Sequence, residues 1–279
     1  MCIKAKGTKS WTDYRLALMT QAARELMIDA AKKVNPKIKV VIKYPNWYDH
    51  FQGNGFNLET EPKMFDGLYT GTETRDPSEN QHLQPYLGYL IFRYFDNLKP
   101  GKNGGGWVDP GGLTYMDRYA EQLWLTMFAK APEITLFDIR QLQRPLLKTD
   151  RAAWQNLESC SFNFDEMMNP VADKNGKMVQ PTTIARAAGY TFETIDKFLG
   201  HLGNPVGVKS YKPFHSTCED FLQNYMGMIG VPMDIVSAFD GTNGWPMIHR
   251  ADYAKGKLYV LTIPENVIDL YRLPAELLT

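Results

Sequence analysis

The chain is short of cysteine, of net charge and of long apolar runs, and each shortage removes a class of protein. Cys2, Cys160 and Cys218 are the only thiols in 279 residues. Odd in number and far apart, they suggest neither a disulfide framework nor a complete metal site. Lys plus Arg and Asp plus Glu both number 31, with no long block of one sign, so the electrostatic footprint of a nucleic-acid binder is missing and no nucleic-acid partner is expected. No apolar run nears the roughly 18 residues that a spanning helix needs, so no membrane partner is expected. Met1-Cys2-Ile3-Lys4-Ala5-Lys6 lacks the apolar core of a signal peptide, which at face value implies a soluble, intracellular protein. Nucleotide-loop signatures are lacking too. Gly104-Gly105-Gly106-Trp107-Val108-Asp109-Pro110-Gly111-Gly112 has no Gly-Lys-Ser/Thr ending and does not fit Gly-x-Gly-x-x-Gly before a helix. A strand with close backbone approach, ending in Trp107 and Asp109, fits better.

What the chain does have is aromatic residues, 13% of the total, many of them in loop-like stretches where they would suit stacking on sugar or other flat ligand faces; the same rings could equally be core. The densest such stretch runs from Val40 to Arg75. Val40-Val41-Ile42 reads as a buried strand, because three β-branched residues without polar alternation need cover on both faces. Lys43, Tyr44, Asn46, Trp47, Asp49 and His50 follow at once. Phe65 to Tyr69 reads as a second strand, with Thr72, Glu73, Thr74, Arg75 and Asp76 at its carboxyl end. Functional groups gathered past the C-terminal ends of strands are what a (β/α) barrel or an open parallel sheet produces. The competing reading is two polar loops on a solvated rim, for which Trp47 and Tyr48 are poor choices.

Ser10-Trp11-Thr12-Asp13 opens a capped helix to about Lys33, with Leu16, Leu18, Met19, Ala22, Ala23, Leu26 and Met27 as its buried stripe. A second helix is predicted from about Gln81 to Asn97 and a third from Leu113 to Lys130, stopped by Pro132. Glu133 to Phe137 is a fourth strand, with Asp138 and Arg140 at its end. The alternation is that of a parallel βα-array, half a barrel in extent. Residues 1–140 form this first domain. From 141 to 203 the pattern weakens into a connecting segment, with a turn at Asp173-Lys174-Asn175-Gly176 and a short helix from Phe192 to Leu202. Asn204-Pro205 opens a smaller α/β unit over 204–279, with strands at Val206 to Val208, Val231 to Val236 and Leu258 to Ile263, and a helix from Thr217 to Ile229.

KYPNWYDHFQGNGFN, FDGLYTGTETRD, NGGGWVDPGG and EQLWLTMFAKAPEITLFD resemble successive strand ends of bacterial glycoside-hydrolase-like TIM barrels, distantly similar to the family 42 β-galactosidases. The segment from Asn204 resembles the start of the flavodoxin-like or amidotransferase-like domain that follows the barrel in such proteins. The resemblance implies that the four strands are barrel strands five to eight, and that strands one to four, with the general acid/base of strand four, lie outside this sequence. It implies a fragment of a longer parent, catalytically silent as given. It also implies that Cys2 is the last member of a structural zinc site in that parent, a lone N-terminal thiol being the competing reading; no other cofactor is expected. The C-terminal domain would serve homo-oligomeric assembly.

Hydrolysis of an O-glycosidic bond needs carboxyls at the strand ends, and Glu73 and Asp109 are the catalytic candidates on that ground. The clan's nucleophile position at strand seven falls on Asp109 here, an Asp where Glu is usual. Retaining enzymes hold the two carboxyls about 5 to 5.5 Å apart and inverting ones about 6.5 to 9.5 Å, and both arrangements stay open. Lys43, Trp47, Asp49, His50, Arg75, Trp107 and Asp138 are the substrate-binding candidates: Lys43, His50 and Arg75 for sugar hydroxyls or for holding the carboxylates ionised, and the two indoles for stacking. Each has a competing role in closing the rim or capping a helix. An oligosaccharide or glycoside is the expected substrate; the alternative is a non-catalytic carbohydrate-binding or regulatory barrel.

Overall fold

The computed structural model describes residues 7–46, 55–75, 82–111, 115–151, 163–169, 171–179, 183–211 and 221–236. The chain opens with α1 (Trp11–Ala22), a π-helical stretch (Ala23–Asp29) and α2 (Ala30–Val34), then β1 (Val41–Tyr44), α3 (Glu61–Met64) and β2 (Gly67–Gly71). Next come α4 (Leu87–Leu98), β3 (Asn103–Val108), α5 (Met116–Phe128), β4 (Ile134–Leu136) and α6 (Ile139–Leu142). The remainder comprises α7 (Phe164–Met167), β5 (Val171–Ala172), β6 (Met178–Val179), α8 (Ile184–Leu199), β7 (Val208–Tyr211), α9 (Phe221–Met228) and β8 (Met233–Val236).

The chain is α/β, and its main sheet holds four strands in the order β1-β2-β3-β4, as the alternation predicts. β1 and β2 are parallel from Val41↔Gly67 to Tyr44↔Thr70, and β3 and β4 are parallel from Gly106↔Ile134 to Val108↔Leu136. Between β2 and β3, Leu68 N–H donates to Lys102 O and Thr72 N–H to Trp107 O, each at 2.9 Å. All strand ends of this parallel sheet therefore point one way.

Ser10 caps α1 as expected, its Oγ accepting the Asp13 N–H at 3.0 Å. The expected buried stripe is corrected. Leu16 and Ala23 are buried together with Ile28, whereas Leu18, Met19, Leu26 and Met27 are exposed, Leu26 at 74%. The π-helical turns from Ala23 carry more residues per turn than an α-helix, so beyond Ala23 the inward face passes to Ile28 and leaves Leu26 and Met27 outside; Leu18 and Met19 precede this stretch, and it does not explain their exposure. The two-faced cover inferred for the first strand is also corrected. β1 is the first strand in the sheet order, and Val41 is 44% exposed. β2 begins two residues later than predicted because Phe65 closes α3, a short helix that apolar periodicity does not reveal. α4 starts at Leu87 rather than near Gln81; Gln84 precedes Pro85, and a residue before proline is disfavoured in helical conformation.

The chain divides into two compact units. One comprises Met1–Thr70, Leu90–Gly104 and Val206–Thr279, the other Gly71–Tyr89 and Gly105–Pro205. In the first, the Tyr44 ring stacks on Phe95 with centroids 5.0 Å apart, and its hydroxyl donates to Glu61 Oε1 at 3.1 Å. Burial pushes the Glu61 carboxyl above its ordinary value, and the Tyr44 hydrogen bond opposes that shift. β7 and β8 form a parallel pair near the predicted strands, with α9 between them. Asp234 of β8 accepts from Arg93 Nε at 3.1 Å and Asn97 Nδ2 at 2.8 Å, both on α4. The predicted strand from Leu258 to Ile263 lies outside the described residues.

In the second unit, α5 and α8 enclose a core of Val108, Met116, Tyr119, Leu123, Ile184 and Ala187, with Phe164 and Met167 of α7 joining it. α8 runs well upstream of the short helix predicted from Phe192. β5 and β6 form a hairpin on the predicted turn, where Asp173 Oδ1 accepts from Asn175 N and Lys177 N and Gly176 sits at φ +79°. The glycine run in β3 works by close approach, as its sequence suggests. A Cβ at Gly105 would overlap the Glu133 carbonyl oxygen, and one at Gly106 would overlap Thr126 Cγ2.

Candidate active site

The second unit carries the C-terminal ends of β2, β3 and β4. Their side chains alternate between the helix-packed face and the opposite one. Thr72 hydrogen-bonds with Thr126 of α5 at 2.7 Å between hydroxyl oxygens, and Val108, Ile134 and Leu136 pack into the helical core. Alternation then turns Glu73, Trp107, Asp109 and Phe137 to the face away from α5. On that face the Trp107 and Phe137 rings meet, centroids 5.5 Å apart and planes tilted by 32°.

Arg75 and Asp109 come together there. Arg75 Nη2 is 3.0 Å from Asp109 Oδ2, both side chains mostly buried. The other carboxylate oxygen, Oδ1, accepts the Gly111 N–H at 2.7 Å, so the carboxylate is held from two directions. Arg75 has φ +63°, a left-handed conformation uncommon for arginine. Gln122 of α5 supports that turn: its Oε1 accepts the N–H groups of both Thr74 at 2.7 Å and Arg75 at 3.0 Å. Glu73 precedes this pinned pair and is 5% exposed. Tyr119, one turn before Gln122 on α5, is wholly buried; burial pushes its phenol well above the ordinary range, and the Asp109 charge adds to the shift.

The other candidates fall elsewhere. Asp138 caps α6, its Oδ1 accepting from Arg140 N at 2.9 Å and Gln141 N at 3.1 Å. Those backbone hydrogen bonds, Gln141 first, hold its carboxyl below the usual range. Lys43 lies on β1 in the first unit, exposed. Trp47, Asp49, His50 and Cys2 lie outside the described residues. Among the described residues no group of three or more His, Cys, Asp or Glu could hold a metal ion, and no helix is long and apolar enough to cross a membrane. Gln122 and Phe137 are not among the sequence candidates. The signal for Gln122 is a glutamine one turn from Tyr119 on a core-facing stripe, where an apolar residue is usual. Phe137 shows as an aromatic at a strand end, and it is 40% exposed.

A family described as "Probable glycosyl hydrolase, catalytic domain" matches residues 1–201. The chain belongs to that family. The matched stretch takes in the Arg75–Asp109 pair and all but the last four residues of the second unit. The chain is also similar to an uncharacterized protein of Saccharolobus solfataricus, 29% identical over 144 residues that make up 50% of this chain and 24% of the relative. The chain thus spans about a quarter of the length of that curated relative. No solved structure matches it.

Proposed function

We propose that the full-length protein hydrolyses O-glycosidic bonds of an oligosaccharide or glycoside, with Asp109 and Glu73 among its working carboxyls. The observation that carries this reading is the gathering of Asp109, Arg75 and the Trp107–Phe137 ring pair at neighbouring ends of parallel strands, in a chain of a glycosyl hydrolase family. A carboxylate held by a guanidinium and a backbone N–H is oriented for one task at one carbon, and the adjacent rings offer an apolar platform for a pyranose face. In hydrolysis the bond between the anomeric carbon and the leaving oxygen breaks. A proton passes to that oxygen, and a water-derived hydroxyl ends on the carbon. Asp109 is assigned the side nearest the anomeric carbon and Glu73 the second carboxyl.

The same reading takes β1 to β4 as strands five to eight of a (β/α)₈ barrel of the family 42 β-galactosidase kind, and keeps Lys43, Trp47, Asp49 and His50 as substrate-binding candidates. The four parallel strands in chain order support it. Residues 204–279 are assigned to a flavodoxin-like domain that serves homo-oligomeric assembly, and Cys2 to a structural zinc site. The test is turnover of a panel of aryl glycosides by the 279-residue chain and by any longer parent, beside Glu73→Gln and Asp109→Asn. Loss of turnover in both variants supports the assignment; turnover indifferent to either one strikes it.

A further inference from the structure

We infer that Gln122 is a positioning residue for the glycoside site, acting through the Thr74–Arg75 turn to aim Arg75 at Asp109. This deepens the proposed function and rests on it. Gln122 is 1% exposed on the core-facing side of α5. Its side-chain oxygen accepts two consecutive backbone N–H groups, at 2.7 and 3.0 Å, which fixes which end of the amide is which. Among the described residues its Nε2 donors have no hydrogen-bond partner. A leucine would fill this position without stranding a buried amide, but it would leave the Thr74 and Arg75 N–H groups without their acceptor.

The turn so held has a definite consequence. Arg75 sits at φ +63°, where a side chain other than glycine is strained unless its surroundings hold it. Gln122 Oε1 accepts the N–H of that residue and of the one before it. From this conformation the guanidinium reaches Asp109 at 3.0 Å, while Gly111 N–H steadies the other carboxylate oxygen. The base of the device is rigid as well. Thr126, one turn along α5, bonds to the Gln122 carbonyl at 2.8 Å and to the Thr72 hydroxyl at 2.7 Å, tying the helix to the strand end three residues before Arg75. Since a carbonyl can only accept, the Thr126 proton goes to Gln122 O, and the Thr72 hydroxyl donates to Thr126. The chain of contacts runs from α5 through the turn to the carboxylate. Gln122 need touch no substrate.

The experiment compares Gln122→Leu, Gln122→Glu, Arg75→Ala and the Gln122→Leu/Arg75→Ala double variant in the full-length protein. Amide hydrogen exchange at Thr74 and Arg75 reads the pin directly, and aryl-glycoside kinetics read its effect. Gln122→Leu is expected to speed exchange at both amides and to lower kcat by about a hundredfold with KM little changed, the scale of misplacing a reacting group by an ångström. Gln122→Glu keeps the acceptor and is expected to keep exchange slow and restore part of kcat. In the Arg75→Ala background, Gln122→Leu is expected to have almost no further kinetic effect, a non-additivity that mere loss of stability does not produce. Should Gln122→Leu not fold, Gln122→Asn withdraws the same acceptor by one methylene and takes its place. Unchanged exchange overturns the inference whatever the activity, and so does faster exchange with unaltered kcat or a fully additive double variant. Absence of turnover by the wild-type protein strikes the proposed function instead, leaving the exchange data to decide the pin.

Discussion

Arg75 Nη2 and Asp109 Oδ2 stand 3.0 Å apart at the ends of two neighbouring strands, 34 positions apart in the chain. The pair is mostly shielded and Asp109 has a second donor in Gly111 N–H. Asp109→Asn preserves that backbone contact through its amide oxygen and removes the charge. Glycoside turnover is expected to fall by roughly 10²-fold or more, while the Arg75 charge left without its partner in this mostly shielded place lowers unfolding free energy by about 3 kcal/mol. Steady-state kinetics beside a urea titration separates the two, and comparable turnover in the variant would remove Asp109 from the chemistry.

The Trp107–Phe137 ring pair predicts a different kinetic signature. If these rings receive a sugar face, Trp107→Ala weakens ground-state and transition-state binding alike, so KM rises and kcat stays near its wild-type value. A stacking contribution of about 0.5–1.5 kcal/mol corresponds to a severalfold rise. A fall in kcat at constant KM would place Trp107 in the reacting geometry instead.

Glu61 predicts a pH effect on stability that is separate from catalysis. Its carboxyl is raised above the ordinary 4.5 by burial, so the folded state holds the proton over a window where the unfolded state has released it. The stabilisation from this group is therefore fully present below about pH 4.5 and lost as pH rises through the folded value. Glu61→Gln keeps an acceptor for the Tyr44 hydroxyl and removes the titration. The variant is expected to gain stability on wild type between pH 4 and pH 7, measured by denaturant unfolding at both. A constant difference across that range would show that Glu61 titrates normally.

Gly106 and Thr126 predict a compensating pair. Gly106→Ala drives a methyl into Thr126 Cγ2, costing about 1–3 kcal/mol. Thr126→Ser removes that methyl and keeps the hydroxyl that bonds Thr72, so the double variant is expected to recover most of the loss. Gly105→Ala has no such remedy, because the atom in its way is a backbone oxygen. Thermal melts of the four proteins check the cycle, and additive losses would place the strain elsewhere.

The parallel βα alternation was legible in the sequence because it rests on apolar runs, helical periodicity and Gly/Pro punctuation, all local signals. The close approach at the glycine run was legible for the same reason. Burial along α1 was not. Beyond Ala23 the seven-residue π-helical stretch shifts the phase of the helix, and nothing in the order of Leu, Met and Ala announces a widened turn. In the candidate site, Arg75 and Asp109 could each be picked out as polar groups at strand ends, yet their pairing depends on a left-handed turn at an arginine. Gln122 escaped notice because its partners are backbone groups nearly fifty positions upstream. Asp138 was legible as charged and strand-terminal, and the same position also makes it a helix cap.

The glycine run of β3 also restricts how this strand can be threaded into its sheet. Gly104 lies against the Tyr69 ring, Gly105 against the Glu133 carbonyl and Gly106 against Thr126, three obstacles of different kinds at successive positions. Slipping the strand by one residue toward its amino end would bring the Trp107 indole to the place where even a methyl does not fit, and would turn Asp109 from the open face into the helical core. Slipping it the other way would set the Asn103 side chain against the Tyr69 ring. A strand of small residues is usually a poor keeper of alignment. Here the neighbours reject a one-residue slip in either direction, and the carboxylate at its end inherits that accuracy.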